Sequence, residues 1–394
     1  MTPPARPTLM RRLDDEHGHR VTFIELFFDL VFVFAITQLS HFLLEHFTLL
    51  GAAQTAVLLL ALWWAWVYTS WVTNFLDPAH APVRRLLIAL MLLGLLMAAA
   101  LPGAFGERGL LFALALAAFQ VGRSVFALWA MWNDETARRN FTRITAWLAL
   151  GAALWIVGAL SPPESRLIWW LAALAVDYVG PAAGFYLPRM GPTTTREWRV
   201  SGEHMAERAG LFVIIALGEG ILVTGATFAE GTFSAESLLA LGVTFGLSVA
   251  LWWTYFVVNA EVVANTIKGS DDPGRLARFA YTYLHVPIVV GIVLTAVGDE
   301  LILAHPFDRA GVKEVLTILG GSAVFLAGNA LFKRAATAHV PGSHLAGLAV
   351  LALLALFAFF LTPLALGALA TLTLVAVATW DGRRTRAPAR PRRA

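Results

Sequence analysis

The chain has 394 residues, 58% of them hydrophobic and only 14% charged, with a formal net charge of +3 and no cysteine. No soluble domain of this length has a core for so much apolar surface, so the composition excludes a soluble α/β enzyme and points to an all-α, polytopic membrane helix bundle. Without thiols there are neither disulfides nor thiolate metal sites.

Crossing about 30 Å of hydrocarbon takes roughly 20 residues of helix. Residues 1–20 are polar and read as a cytoplasmic N-terminal segment without a cleavable signal peptide. Twelve apolar runs follow, at 22–46, 54–76, 84–103, 110–131, 143–161, 167–187, 208–227, 236–260, 278–297, 314–332, 343–361 and 363–380. The last two barely fit around Pro363, so one long helix with a re-entrant piece is the alternative there. Residues 191–207 form a cytoplasmic linker and 381–394 a basic cytoplasmic tail.

The placement of Lys and Arg tests this count. With the N-terminus inside, 24 of the 29 fall in cytoplasmic segments, four (Arg108, Arg166, Arg309, Lys313) fall in external loops, and Arg123 lies within a span. The bias persists loop after loop, whereas a miscounted helix would invert it. It predicts a multi-pass membrane protein with both termini cytoplasmic. The basic residues thereby become orientation signals, and no nucleic-acid partner is expected.

The first span carries Glu25 and Asp29 four residues apart, on one helix face, where two like charges repel. Thr37, Gln38 and His41 continue a polar thread. Glu25 reads equally as a headgroup contact. The fourth and sixth spans carry Arg123 and Asp177, which are expected to form an intramembrane ion pair, with anion binding by Arg123 as the rival role. His204, Glu207 and Arg208 stand at the entrance of the seventh span, and Arg208 is expected to pair with Glu25 or Asp29 as an inner gate. Glu219, between Gly218 and Gly220, follows near mid-span, where a carboxylate is costly unless paired, hydrated or protonated. It is a candidate to load and release a proton, or else a neutral acid holding helices together. Asn259, Tyr255, Tyr281, Tyr283, His285 and Asn329 read as packing, and Asp299 and Glu300 as solvated groups at the outer mouth.

The halves 21–190 and 208–380 look related. Ala61-Leu-Trp-Trp64 recurs as Ala250-Leu-Trp-Trp253, and Leu160-Ser-Pro162 as Leu361-Thr-Pro363, in order. Six helices per copy would give a parallel 6+6 repeat about an axis along the membrane normal, with Glu219 opposite Thr37 or Gln38.

Phe23-Ile-Glu-Leu-Phe-Phe-Asp-Leu-Val-Phe-Val-Phe-Ala-Ile36 resembles the signature first helix of the bacterial low temperature requirement A (LtrA) family. His204-Met-Ala-Glu-Arg-Ala-Gly-Leu-Phe-Val-Ile-Ile-Ala-Leu-Gly-Glu-Gly-Ile221 resembles its second signature. The resemblance implies a multi-pass membrane protein in which Glu25, Asp29, His204, Glu207, Arg208 and Glu219 matter; it supplies neither substrate nor reaction.

Phosphate-cradling, dinucleotide and His-Glu-x-x-His motifs are all missing, so ATP-driven transport, metal and cofactor are not expected. The leading expectation is a proton-coupled secondary transporter of a small solute. The alternatives are an intramembrane enzyme with Glu219 or Asp29 as general acid/base on a lipid-phase substrate, and a structural or sensory membrane protein.

Overall fold

A computed structural model describes residues 9–11, 20–193, 198, 200–231, 233–256, 266, 269–337 and 339–386. Most of the N-terminal segment, part of the linker, Asn259 and the tail beyond 386 lie outside the described residues. The described chain is all-helical: α1 (Phe23–Glu45), α2 (Leu49–Phe75), α3 (Ala81–Ala100), α4 (Gly109–Ala130), α5 (Glu135–Leu160), α6 (Pro163–Ala182), α7 (Gly202–Glu230) and α8 (Ala235–Phe256) come first. They are followed by α9 (Pro273–Ala304), α10 (Val312–Ala335), α11 (Gly342–Phe360) and α12 (Pro363–Arg386).

Eleven of the twelve are long and apolar enough to cross a membrane. The exception is α6, whose twenty residues include Glu164, Arg166 and Asp177. The re-entrant alternative near Pro363 is resolved in favour of two separate helices. Leu361 is extended, as suits the approach to a proline, and the Thr362 hydroxyl accepts the Ala365 N–H at 3.2 Å to start α12. The same economy recurs elsewhere. Thr48 and Asp134 cap α2 and α5, and Ser234 and Ser237 exchange backbone N–H bonds before α8. Within the spans, Thr55, Thr69, Thr254, Thr295 and Ser322 return their hydroxyls to carbonyls one turn back, so they need no water. Large apolar side chains such as Leu92, Leu114, Leu353 and Phe360 face outward, as a hydrocarbon solvent requires.

The described residues form two compact units: α1 to α6 with α7 as far as Arg208 and 271–275, and α7 from Ala209 with α8 to α12 and Leu43–Phe47. In the first, α3 packs on α4, α4 on α5, α5 on α6, and α2 on α6 and α4. A core around Val72, Leu76, Val83, Ala127, Phe141 and Leu148 fills one end, where Met10 bridges to Leu76 and ties the N-terminal segment down. Arg166, expected in an external loop, is buried and donates to the carbonyls of Ala104, Gly106, Gly158 and Ala159, closing two loop ends.

In the second unit α9 packs on α10, α10 on α11, α11 on α12, and α8 on α12 and α10. Glycines set the α9–α10 approach. A Cβ at Gly291 would lie 2.5 Å from the Phe325 backbone nitrogen, and Gly298, Gly321 and Gly328 are similarly tight. Both helices contain one wide π turn, Arg278–Tyr283 and Val315–Gly320. The last helix passes residue 380. Asp381, assigned to the tail by sequence, is buried and pairs with Lys333 at 2.7 Å, with Ser343 as a further hydrogen-bond donor.

Candidate functional site

Three helices of the first unit each offer one polar face at i, i+4 spacing: Glu25 and Asp29 on α1, Trp66, Ser70 and Asn74 on α2, and His204 and Arg208 on α7. The fold closes these faces on one another and buries every one of these side chains.

Arg208 is held most firmly. Its guanidinium meets Asp29 as a two-pronged pair at 2.8 and 3.0 Å, donates to the Glu25 carbonyl at 2.9 Å and reaches the Ser70 hydroxyl at 3.3 Å. Its guanidinium carbon lies 5.6 Å from the centre of the Trp66 ring and 5.9 Å from that of Phe28. Trp66 Nε1 donates 2.8 Å to the same Asp29 oxygen. This geometry suits Arg and no other cation, because the fork matches a carboxylate and the flat face accepts a ring.

Glu25 begins as a local device. Thr22-Phe-Ile-Glu25 forms half of a capping box: the Glu25 carboxylate accepts the Thr22 N–H at 2.9 Å and its hydroxyl at 2.8 Å, while the Glu25 N–H goes to the Thr22 carbonyl at 3.0 Å. The same carboxylate then takes His204 Nε2 at 2.9 Å and Arg11 at 3.3 Å. Arg11, folded in by the Met10–Leu76 bridge, also donates to the carbonyls of Thr73 and Arg20.

The His204 tautomer follows from its other side. Asn74 is clamped by Ser201, whose N–H donates to Oδ1 and whose carbonyl accepts Nδ2, so the amide has one orientation. Asn74 Nδ2 therefore faces His204 Nδ1 as a donor at 3.2 Å, Nδ1 accepts, and Nε2 carries the hydrogen given to Glu25. With His204 neutral, two arginines balance two carboxylates. The whole cluster carries no net charge, the condition under which burial is tolerable.

The other predicted residues are placed as follows. Glu207 is exposed and accepts the Val21 N–H at 2.9 Å, at the rim of this cluster. Thr37 and Gln38 are half-buried further along α1; Thr37 gives its hydroxyl to the Val33 carbonyl, and neither joins the cluster. Glu219 lies in the second unit, 2% exposed. The expected Arg123–Asp177 ion pair does not form. Arg123 donates to the Ala65 carbonyl at 2.8 Å, Thr69 at 3.1 Å and Gln120, between the rings of Tyr68 and Phe119. Asp177 instead accepts from Trp155 at 3.3 Å and packs on the bare backbone of Gly151, where a Cβ would come within 2.6 Å of it. A neutral partner is in contact with each charge, acceptors for Arg123 and the Trp155 N–H donor for Asp177.

Arg11, Trp66, Ser70, Asn74 and Ser201 are cluster residues that the sequence reading passed over. Thr22-x-x-Glu25 was the available signal for how Glu25 is seated. Among the described residues no group of three or more His, Asp or Glu side chains could hold a metal ion.

A helical membrane bundle with a buried, charge-balanced cluster built from its first, second and seventh helices defines the class. Residues 20–379 match the family described as bacterial low temperature requirement A protein (LtrA), and the chain belongs to that family. It is 42% identical over 371 residues, 94% of this chain and 91% of the relative, to "Uncharacterized protein RA0937" of Rhizobium meliloti (strain 1021). No solved structure matches it.

Proposed function

We propose that this LtrA-family protein is a proton-coupled secondary transporter of a small solute. It would lie in the bacterial inner membrane with both termini cytoplasmic and be built from two parallel six-helix copies. The observation that carries this reading is the neutral cluster of Arg11, Glu25, Asp29, His204 and Arg208, buried where α7 begins. A cluster whose charges cancel only while its helices are together is suited to an inner gate, since separation exposes each charge to water. Glu207 stands at its rim. The same α7 carries Glu219 eleven residues past Arg208, about 16 Å along the helix. A buried carboxylate at that depth is the natural group to take a proton. Asp29, Thr37 and Gln38 would line the path from α1. The Lys and Arg bias supports the orientation, and the recurrence of the α3–α4, α4–α5, α5–α6 and α2–α6 contacts as α9–α10, α10–α11, α11–α12 and α8–α12 supports the duplication.

The test is reconstitution in liposomes enclosing a pH-sensitive dye. Proton flux driven by an imposed gradient should be present in the intact protein and lost in Glu219→Gln, while a change at exposed Arg139 leaves it unaltered. Flux that persists in Glu219→Gln would sink the reading.

One observation favours a second reading, an intramembrane enzyme acting on a lipid-phase substrate. A cavity of about 340 Å³ lies between α7 and α8, lined by Ile221, Thr224, Leu238, Phe245 and Ser248. Its walls suit a hydrocarbon chain. Time-dependent change in the lipids of the same liposomes, without flux, would select that reading. Neither flux nor lipid change would leave a structural or sensory protein.

A further inference from the structure

Threonines inside an apolar helix ordinarily settle their own bonding. Thr244 and Thr254 of α8 both return their hydroxyls to carbonyls one turn back, at 3.1 and 2.8 Å. Thr224 of α7 does not. It is 4% exposed, and its Oγ1 has no hydrogen-bond partner among the described residues. A hydroxyl left dry in apolar surroundings has given up its bond to water and gained nothing in return.

Thr224 stands in the wall of the 340 Å³ cavity between α7 and α8. The sequence explains why there is space. The α7 wall is Ile221, Thr224 and Gly225, at i, i+3 and i+4, which is one helix face. The α8 wall runs from Leu238 through Leu241, Gly242 and Phe245 to Ser248, again along one face, over about 15 Å of helix. Each wall carries a glycine, and a Cβ on Gly225 or Gly242 would meet nothing within 4 Å. Another face of α8 is seated on α12: a Cβ on Gly367 would lie 2.9 Å from Val243, and one on Gly246 3.5 Å from Thr371. The gap is therefore on the α7 side alone.

Three observations define what would fill it. Ile221, Leu238 and Phe245 at its walls are half-exposed on two membrane-spanning helices, so the entrance opens onto hydrocarbon. None of the lining residues is charged, and Thr224 lies six residues, about 9 Å, inside the end of α7. A charged headgroup there would have no counter-ion and no water. A plain alkyl chain would leave the Thr224 hydroxyl unmet. The volume is near the lower end of the range for ligand pockets, about 300–1,000 Å³, which suits one chain and not two.

We propose that the α7–α8 cavity is a binding site for a single-chain lipid alcohol that enters from the bilayer. Its neutral oxygen bonds to the Thr224 hydroxyl, and its chain lies along Ile221, Leu241 and Phe245. Ser248 supplies a second hydroxyl about one turn deeper. The site needs no reaction and rests on neither functional reading above.

The test is photolabelling of the purified full-length protein with a diazirine-bearing hexadecanol, the adducts being mapped by peptide mass spectrometry. Adducts are expected on 221–225 and 238–248 and should be displaced by unlabelled hexadecanol, but not by hexadecane or hexadecanoate. Thr224→Val keeps the side chain's shape and removes the bond, so labelling should fall about fivefold, the worth of one hydrogen bond. Thr224→Ser should keep it, as should Thr254→Val, whose hydroxyl is already spent on its own helix. Gly242→Leu should fill the space and abolish labelling without lowering the thermal melt. Labelling unchanged in Thr224→Val overturns the proposal, as do adducts away from both helices. Displacement by hexadecane as effective as by hexadecanol, or by hexadecanoate more effective, overturns it too. Neither proton flux nor lipid turnover enters the measurement, so the site and the transporter reading stand or fall separately.

Discussion

Arg208 and Arg123 are both fully buried guanidinium groups of the first unit, and they are satisfied in opposite ways. Arg208 is matched to a carboxylate with two parallel bonds and sits in a cluster that also holds Glu25, His204 and Arg11. Arg123 has no carboxylate in contact; a backbone carbonyl, a hydroxyl, an amide oxygen and two ring faces receive it. The first arrangement depends on residues from three helices and fails as a set when one charge is removed. The second depends on short-range acceptors and leaves no opposite charge stranded. The difference marks Arg208 as part of a coupled device and Arg123 as a local tie between α2 and α4.

That contrast can be broken by measurement. Arg208→Met should have the largest effect, lowering stability in detergent by about 3–5 kcal/mol because it strands Asp29 in a buried site. A loss no greater than that of Arg123→Met would refute the contrast. Arg208→Asp combined with Asp29→Arg should recover activity lost in either single change; no recovery would deny that the pair acts as one unit. Gly291→Ala should cost about 1–3 kcal/mol through overlap with the Phe325 backbone, whereas Gly225→Ala, with nothing within 4 Å, should be near neutral in a thermal melt. Arg123→Met should cost about 1–3 kcal/mol, the range for buried acceptors left without donors. Asp177→Asn should be the mildest, within about 1 kcal/mol, because an amide oxygen still accepts from Trp155.

The helices were legible because hydrocarbon imposes one length and one composition on every span, so α1 to α12 fall close to the apolar runs. Only α6, with three charged residues in its twenty, weakens the pattern. Glu25, Asp29, His204 and Arg208 were legible because a charge on an apolar helix stands out and four-residue spacing fixes its face. Their supports were not. Arg11 looks like any other orienting charge until the bridge at Met10 folds it inward, and Trp66, Ser70 and Asn74 look like ordinary membrane residues until α2 turns them to one side. The Arg123–Asp177 expectation paired opposite charges by depth alone, and it failed because depth says nothing about which neutral donors and acceptors lie nearer. Asp299 was misjudged for a related reason: a position near the end of α9 is not exposure, and the packed bundle buries it.

The Arg208–Asp29 contact joins residues 179 positions apart in the chain. Five complete helices, α2 to α6, must be made before α7 can bring Arg208 to its place. Through that interval α1 holds two carboxylates whose histidine and second arginine have not yet arrived. Membrane insertion of this protein is therefore a wager on a late helix. A chain cut short before α7 would present a first span with its own neutralising partner missing, which is the kind of exposed fault that membrane quality control can recognise.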